Sequence, residues 1–226
     1  SITYPDGKIL LWYYNHDLNQ LDRFVDAGGN VTQYSYDPYG RLNKIESQSL
    51  SVVMSYYSKT VDVANSGRLQ AITYSNGLEL ILAYNGYDLL DCIQVKDIQK
   101  RNLLKVGYNY DEVSKTISSI VYSSDVLTGQ DSNYSSIFSY NALGKLLSET
   151  VKDAQSNIIK SLVYNYDVSG NVKSKTVENS TDRIVENYAY DKDNKLLSSK
   201  INETVHNLFY DSNGNMLKDG FGNTYK

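Results

Sequence analysis

The sequence predicts an all-β protein, an array of about nine antiparallel β-hairpin repeats in one continuous sheet. Three observations predict it. A tyrosine-anchored heptad recurs along the 226 residues as YDPYGRL (36–42), YNALGKL (140–146), YDVSGNV (166–172), YDKDNKL (190–196) and YDSNGNM (210–216). A second large apolar residue stands two positions before nearly every anchor, which puts both side chains on one face of a strand. And 22 Tyr against 4 Phe and 1 Trp, with only 2 Pro, suit paired strands that bury ring faces and leave hydroxyls at hydrogen-bonding edges.

From the N-terminus the anchors are Tyr14 in YNHDLNQL, Tyr36, Tyr84 in YNGYDLL, Tyr110 in YDEVSKTI, Tyr140, Tyr166, Tyr190 and Tyr210. A ninth, degenerate copy is VANSGRL (63–69), with Val63 in place of the tyrosine. Successive anchors lie 20 to 30 residues apart, a repeat of elastic length. The apolar residues two before the tyrosines are Trp12, Tyr34, Leu82, Tyr108, Phe138, Tyr164, Tyr188 and Leu208. Between each pair stands a residue of different character, as at Ser35, Asn109, Ser139 and Asn165. Helical spacing would be three or four, so these segments read as strands.

The heptad itself reads as a tight turn. An Asp or Asn after the tyrosine accepts from a backbone N–H two residues on, and the glycine supplies a positive φ. The residues assigned this role are Tyr36, Asp37 and Gly40; Tyr140, Asn141 and Gly144; Tyr166, Asp167 and Gly170; Tyr190, Asp191 and Asn194; and Tyr210, Asp211 and Gly214. Asn194 fits the glycine position because Asn tolerates the left-handed region best after Gly. The following Leu or Val opens the return strand. Second turns are expected at DAGGN (26–30), SNG (75–77), TGQDSN (128–133), DAQSN (153–157), ENSTD (178–182) and DGFGN (219–223), a looser edge that absorbs the length variation.

A lone hairpin is marginal in water, whereas stacked hairpins bury one another and sum their neighbour interfaces. Twist accumulated over many strands is expected to curve and coil the sheet. The whole of 1–226 reads as a single array, a fragment of a longer protein.

Chemistry is sparse. A net charge of −4 without a basic stripe argues against nucleic-acid binding. There is no apolar run of membrane-spanning length and no signal peptide. Cys92, the only cysteine, reads as a small buried hydrophobe. His16 and His206 lie in different repeats, which disfavours a triad or a histidine metal cluster. Asp37, Asp111, Asp167, Asp191 and Asp211 would share one edge, but DSNGN (211–215) fails as a calcium loop, with Met216 and Gly222 at two required positions. Catalytic, metal and cofactor sites are therefore expected to be none, and the repeat turns to be structural.

The segments YDPYGRLNKI, YNALGKLLSE, YNYDVSGNVKS and FYDSNGNM resemble the tyrosine-aspartate (YD) repeats of the Rhs family, found also in toxin-complex C components and in teneurins. The resemblance implies a hairpin strip that forms part of a hollow shell. It implies a shell that encloses a toxin domain in bacterial members, or a cell-surface scaffold, and hence a secreted or surface-displayed, non-catalytic protein. The partners would be the rest of its own polypeptide and an enclosed toxin. No self-cleaving core segment or toxin domain is visible in the chain, and YDEVSKTI lacks the turn glycine. The alternative is a carbohydrate- or cell-wall-binding repeat module that meets surface glycans through exposed tyrosines. An enzyme would need a convergent cluster that the sequence does not display.

Overall fold

The period-two alternation becomes strands that half-bury their tyrosines. In β4 (Val31–Tyr36), Tyr34 and Tyr36 are half-buried while Gln33 and Ser35 are exposed. The structure is a computed structural model and describes residues 1–58, 66–127 and 133–225. Among these residues lie twenty β-strands and no helix. The chain is an all-β, antiparallel hairpin array whose contacts fall into two units.

The first unit is Ser1–Gly107 with Ser123–Thr128. It holds β1 (Ile2–Thr3), β2 (Ile9–Tyr14), β3 (Leu21–Val25), β4, β5 (Leu42–Glu46) and β6 (Ser51–Tyr56). It continues through β7 (Leu69–Tyr74), β8 (Glu79–Tyr84), β9 (Leu90–Lys96) and the start of β10 (Asn102–Tyr110). Each strand from β1 to β10 pairs antiparallel with the next in sequence.

The second unit is Tyr108–Tyr122 with Gly129–Lys226. It holds most of β11 (Ile117–Ser123), then β12 (Asn133–Tyr140), β13 (Leu146–Asp153), β14 (Ile158–Tyr166) and β15 (Val172–Asn179). After these come β16 (Arg183–Tyr190), β17 (Leu196–Ile201) and β18 (Thr204–Asn207). From β12 to β18 the pairing again follows chain order, and β19 (Phe209–Tyr210) pairs with β20 (Met216–Lys218).

The first and last residues of the heptad are Cα partners: Tyr36 with Leu42, Tyr140 with Leu146, Tyr166 with Val172, Tyr190 with Leu196 and Tyr210 with Met216. Just before each of these tyrosines the register shifts by one residue, a β-bulge that sharpens the local twist. The same arrangement corrects the ninth copy. Tyr56 pairs with Leu69 after a shift at Ser55, so Tyr56, not Val63, is the anchor, its partner thirteen positions on instead of six. Val63 itself lies outside the described residues, as does most of TGQDSN.

Each turn closes on its Asp or Asn. Asp37 Oδ1 accepts from the N–H groups of Tyr39 (2.9 Å) and Arg41 (3.0 Å), and the Gly40 N–H reaches the Asp37 carbonyl at 2.9 Å. The left-handed position is held by Gly40, Gly144, Gly170 and Gly214, by Asn194 (φ 62°), and also by Asp88 (φ 66°) and Lys115 (φ 58°). The second edge is less ragged than its sequence suggests. DAGGN, DAQSN and DGFGN, together with DIQKR (97–101), make the same turn on Asp26, Asp153, Asp219 and Asp97. DIQKR escapes recognition because Lys100, not glycine, takes the left-handed position (φ 64°).

Little of either unit is fully buried: among the described residues only Cys92, Val106 and Ser136 are. Stability therefore rests on ladders, turns and contacts between neighbouring hairpins.

The turn carboxylates make that stability depend on acid. The amide of the asparagine four residues on is the leading cause that holds Asp26, Asp153, Asp211 and Asp219 below the ordinary carboxylate value. Asp219 is brought to about 2, with help from the Tyr225 hydroxyl. A group whose folded pKa is depressed contributes fully above its unfolded value of about 3.9 and loses that contribution as pH falls through the folded value. The melting temperature followed by circular dichroism should accordingly be level above about pH 5 and fall toward about pH 2. Asp219→Asn should shallow that fall, and a flat profile in the unsubstituted chain would contradict the assignment.

Candidate functional site

No catalytic or metal-binding constellation stands out among the described residues. No group of three or more His, Cys, Asp and Glu side chains could hold a metal ion. No helix is long and apolar enough to cross a membrane. Cys92 is buried on β9, its thiol 3.7 Å from the Ile93 carbonyl. His206 sits on β18 with Nδ1 2.8 Å from the Gly220 carbonyl and its ring against Phe221.

What recurs is a linkage between consecutive hairpins. The anchor tyrosine of one hairpin donates its hydroxyl to the carbonyl of the residue that opens the return strand of the preceding heptad. Tyr36 reaches Leu21 (2.9 Å), Tyr56 reaches Leu42 (2.6 Å), Tyr166 reaches Leu146 (2.7 Å), Tyr190 reaches Val172 (3.0 Å) and Tyr210 reaches Leu196 (2.9 Å). Both partners lie beside a bulge. The residue that packs the strand face thus also ties one unit to the last. A hydrogen bond of this kind is worth about 1 kcal/mol net.

A second link comes from the residue after the left-handed position. Arg41 lies over the Tyr56 ring at 4.2 Å, Arg68 over Tyr84 at 4.9 Å, and Lys145 and Lys195 over Tyr166 and Tyr210 at 5.2 Å each. Two of them also donate to the next turn's backbone, Arg68 to the Asp88 carbonyl (2.7 Å) and Lys145 to that of Gly170 (2.5 Å). Where the residue is neutral, Gln20 reaches the Gly40 carbonyl (2.9 Å) and Asn171 the Asn194 side chain (2.8 Å). Gly170 suits its place because its φ is +87°; a Cβ there would meet only the movable tip of the Lys145 side chain.

The repeat-turn residues read from the sequence all lie in this arrangement. Tyr36, Tyr166, Tyr190 and Tyr210 make the hydroxyl link; the hydroxyl of Tyr140 has no partner among the described residues. Asp37, Asn141, Asp167, Asp191 and Asp211 each accept from the turn backbone. The basic residues were missed, although the signal was present: YDPYGRL and YNALGKL each carry a cation directly after the glycine.

Between successive turns the edge opens into grooves. One of about 300 Å³ is bounded by Tyr39, Arg41, Tyr56 and Gly67. Another of about 400 Å³ lies between the Asp111 and Asn141 turns, and a third of about 500 Å³ between the Asp167 and Asp191 turns.

Residues 119–226 match the teneurin YD-shell family. The match covers just under half of the chain. Its fold covers 99% of its length in each of three solved complexes. Against the crystal structure of TcdB2-TccC3-Cdc42 the TM-score is 0.70 at 16% identity, and against a mutant Tc holotoxin pore from Photorhabdus luminescens it is 0.68 at 15%. Against the TcdB2-TccC3 crystal structure it is 0.68 at 15%. At such identities the likeness is one of fold. The chain spans 12%, 12% and 13% of those chains respectively. No curated protein matches it.

The hydroxyl link is testable inside one unit. Tyr166→Phe should lower the free energy of unfolding in urea by about 1 kcal/mol. Tyr140→Phe, which removes a hydroxyl without a partner, should change it by less than about 0.5 kcal/mol. Equal losses would count against the link.

Proposed function

We propose that this chain is a non-catalytic length of shell wall, one segment of a larger secreted or surface-displayed polypeptide whose shell encloses a toxin domain. The observation that carries this reading is the linkage itself. Each hydroxyl link joins one repeat to the one before it, so that a heptad offers a donor backward and an acceptor forward. Such a design extends a wall by repetition and leaves the repeat turns, from Tyr36–Asp37–Gly40 to Tyr210–Asp211–Gly214, as structural pins. The likeness in fold to TccC3-containing complexes supports it. A cell-surface scaffold would use the same wall without a cargo.

Limited proteolysis of the full-length gene product separates the two. Enclosure predicts that a folded domain outside this segment resists protease until denaturant opens the array. Digestion of that domain at native rates leaves the scaffold reading and removes the cargo.

One feature favours a second reading, a carbohydrate- or cell-wall-binding module. Tyr39 and Tyr87 stand 81% and 68% exposed at turn tips, where a ring face can stack on a sugar. It predicts glycan-array binding that is lost in Tyr39→Ala. An array without signal would eliminate it.

A further inference from the structure

The occupied inter-turn grooves show what an unoccupied one would accept. In four repeats a guanidinium or ammonium lies over the next anchor's ring, and in two of these it also donates to the carbonyl of the next turn's left-handed residue. An aromatic face with a carbonyl at its rim is a receptor for a cationic N–H group.

In the second unit one groove lacks its cation. The position held elsewhere by Arg41, Arg68, Lys145 and Lys195 is Thr116, whose short side chain bonds Ser114 at 2.8 Å. Among the described residues no cation covers the Tyr140 ring, and the Tyr140 hydroxyl makes no hydrogen bond. The groove of about 400 Å³ is lined by Asp111, Thr116, Phe138, Tyr140, Asn141 and Gly144 among others, with no Lys or Arg in its wall. Asp111 uses Oδ1 for Val113 and Ser114, which leaves Oδ2 to supply negative charge. The groove between the Asp167 and Asp191 turns differs. Asn171 already reaches across it to Asn194, and Lys173 and Lys192 in its wall offset the charges of Asp167 and Asp191.

We infer that the groove between the Asp111 and Asn141 turns binds a primary alkylammonium group over the Tyr140 ring, with its N–H directed at the Gly144 carbonyl. The group is that of a lysine side chain: an alkyl stem against Phe138 and a charged head between ring, carbonyl and carboxylate. It reaches the site either on a polypeptide or as a free amine.

The test is a titration of the intact chain with n-butylammonium chloride at constant ionic strength, read by the amide NMR shifts of Ala142, Leu143 and Gly144. Saturable shifts confined to this turn are expected. Thr116→Lys, which supplies the ammonium from within, should weaken the response at least roughly tenfold and melt no lower than the parent chain. Tyr140→Leu keeps an apolar body but no π face, and should weaken it as well. Absence of saturation in the parent, shifts unchanged in both variants, or the same shifts with neutral n-butanol would each overturn the assignment. A blocked lysine peptide that saturates well below n-butylammonium identifies a polypeptide ligand; equal concentrations identify free amines.

Discussion

The structure depends on one hydrogen bond, made again and again: the anchor tyrosine hydroxyl to the carbonyl that opens the previous return strand. It resolves a conflict set by the architecture. A bulge before each anchor interrupts the ladder, and a part-buried carbonyl beside an interrupted ladder gains from a donor. A phenylalanine would pack the strand face equally well but would leave that acceptor unserved. This accounts for tyrosine rather than phenylalanine at Tyr36, Tyr56, Tyr166, Tyr190 and Tyr210.

Because so few side chains are fully buried, no central core enforces the fold. Stability is closer to a sum over neighbours, each interface contributing a hydroxyl bond, a covered ring and the ladder beneath. Arg41 shows how tightly these terms are coupled. Its guanidinium closes its own turn on Asp37 at 2.6 Å and lies over Tyr56 of the next repeat. The turn that ends one hairpin is thereby part of the seat for its successor.

The hairpins were legible in the sequence because two short-range signals agree: apolar residues two apart, and an Asx residue followed by a left-handed position. Where one signal weakened, the reading slipped. Tyr56 was hidden because its partner Leu69 lies thirteen positions on instead of six, and the nearer SGRL drew the anchor to Val63. DIQKR was obscured because Lys100 adopts a conformation that composition assigns to glycine. The inter-repeat links were not legible at all. Leu42 and Tyr56 are 14 residues apart, and no local periodicity connects a backbone carbonyl to a hydroxyl in the next hairpin.

The pairing of the heptad's first and last residues has a genetic consequence. Each seven-residue stretch holds both the tyrosine that donates to the preceding heptad and the leucine whose carbonyl accepts from the next. A crossover between any two heptads therefore joins a complete turn to a complete turn and keeps donor and acceptor in phase. Segments of unequal length on the far side are carried along without penalty. Duplication, loss and exchange of hairpins by unequal recombination are in this way built into the grammar of the chain, and arrays can lengthen or shorten in whole repeats while every junction remains a valid fold.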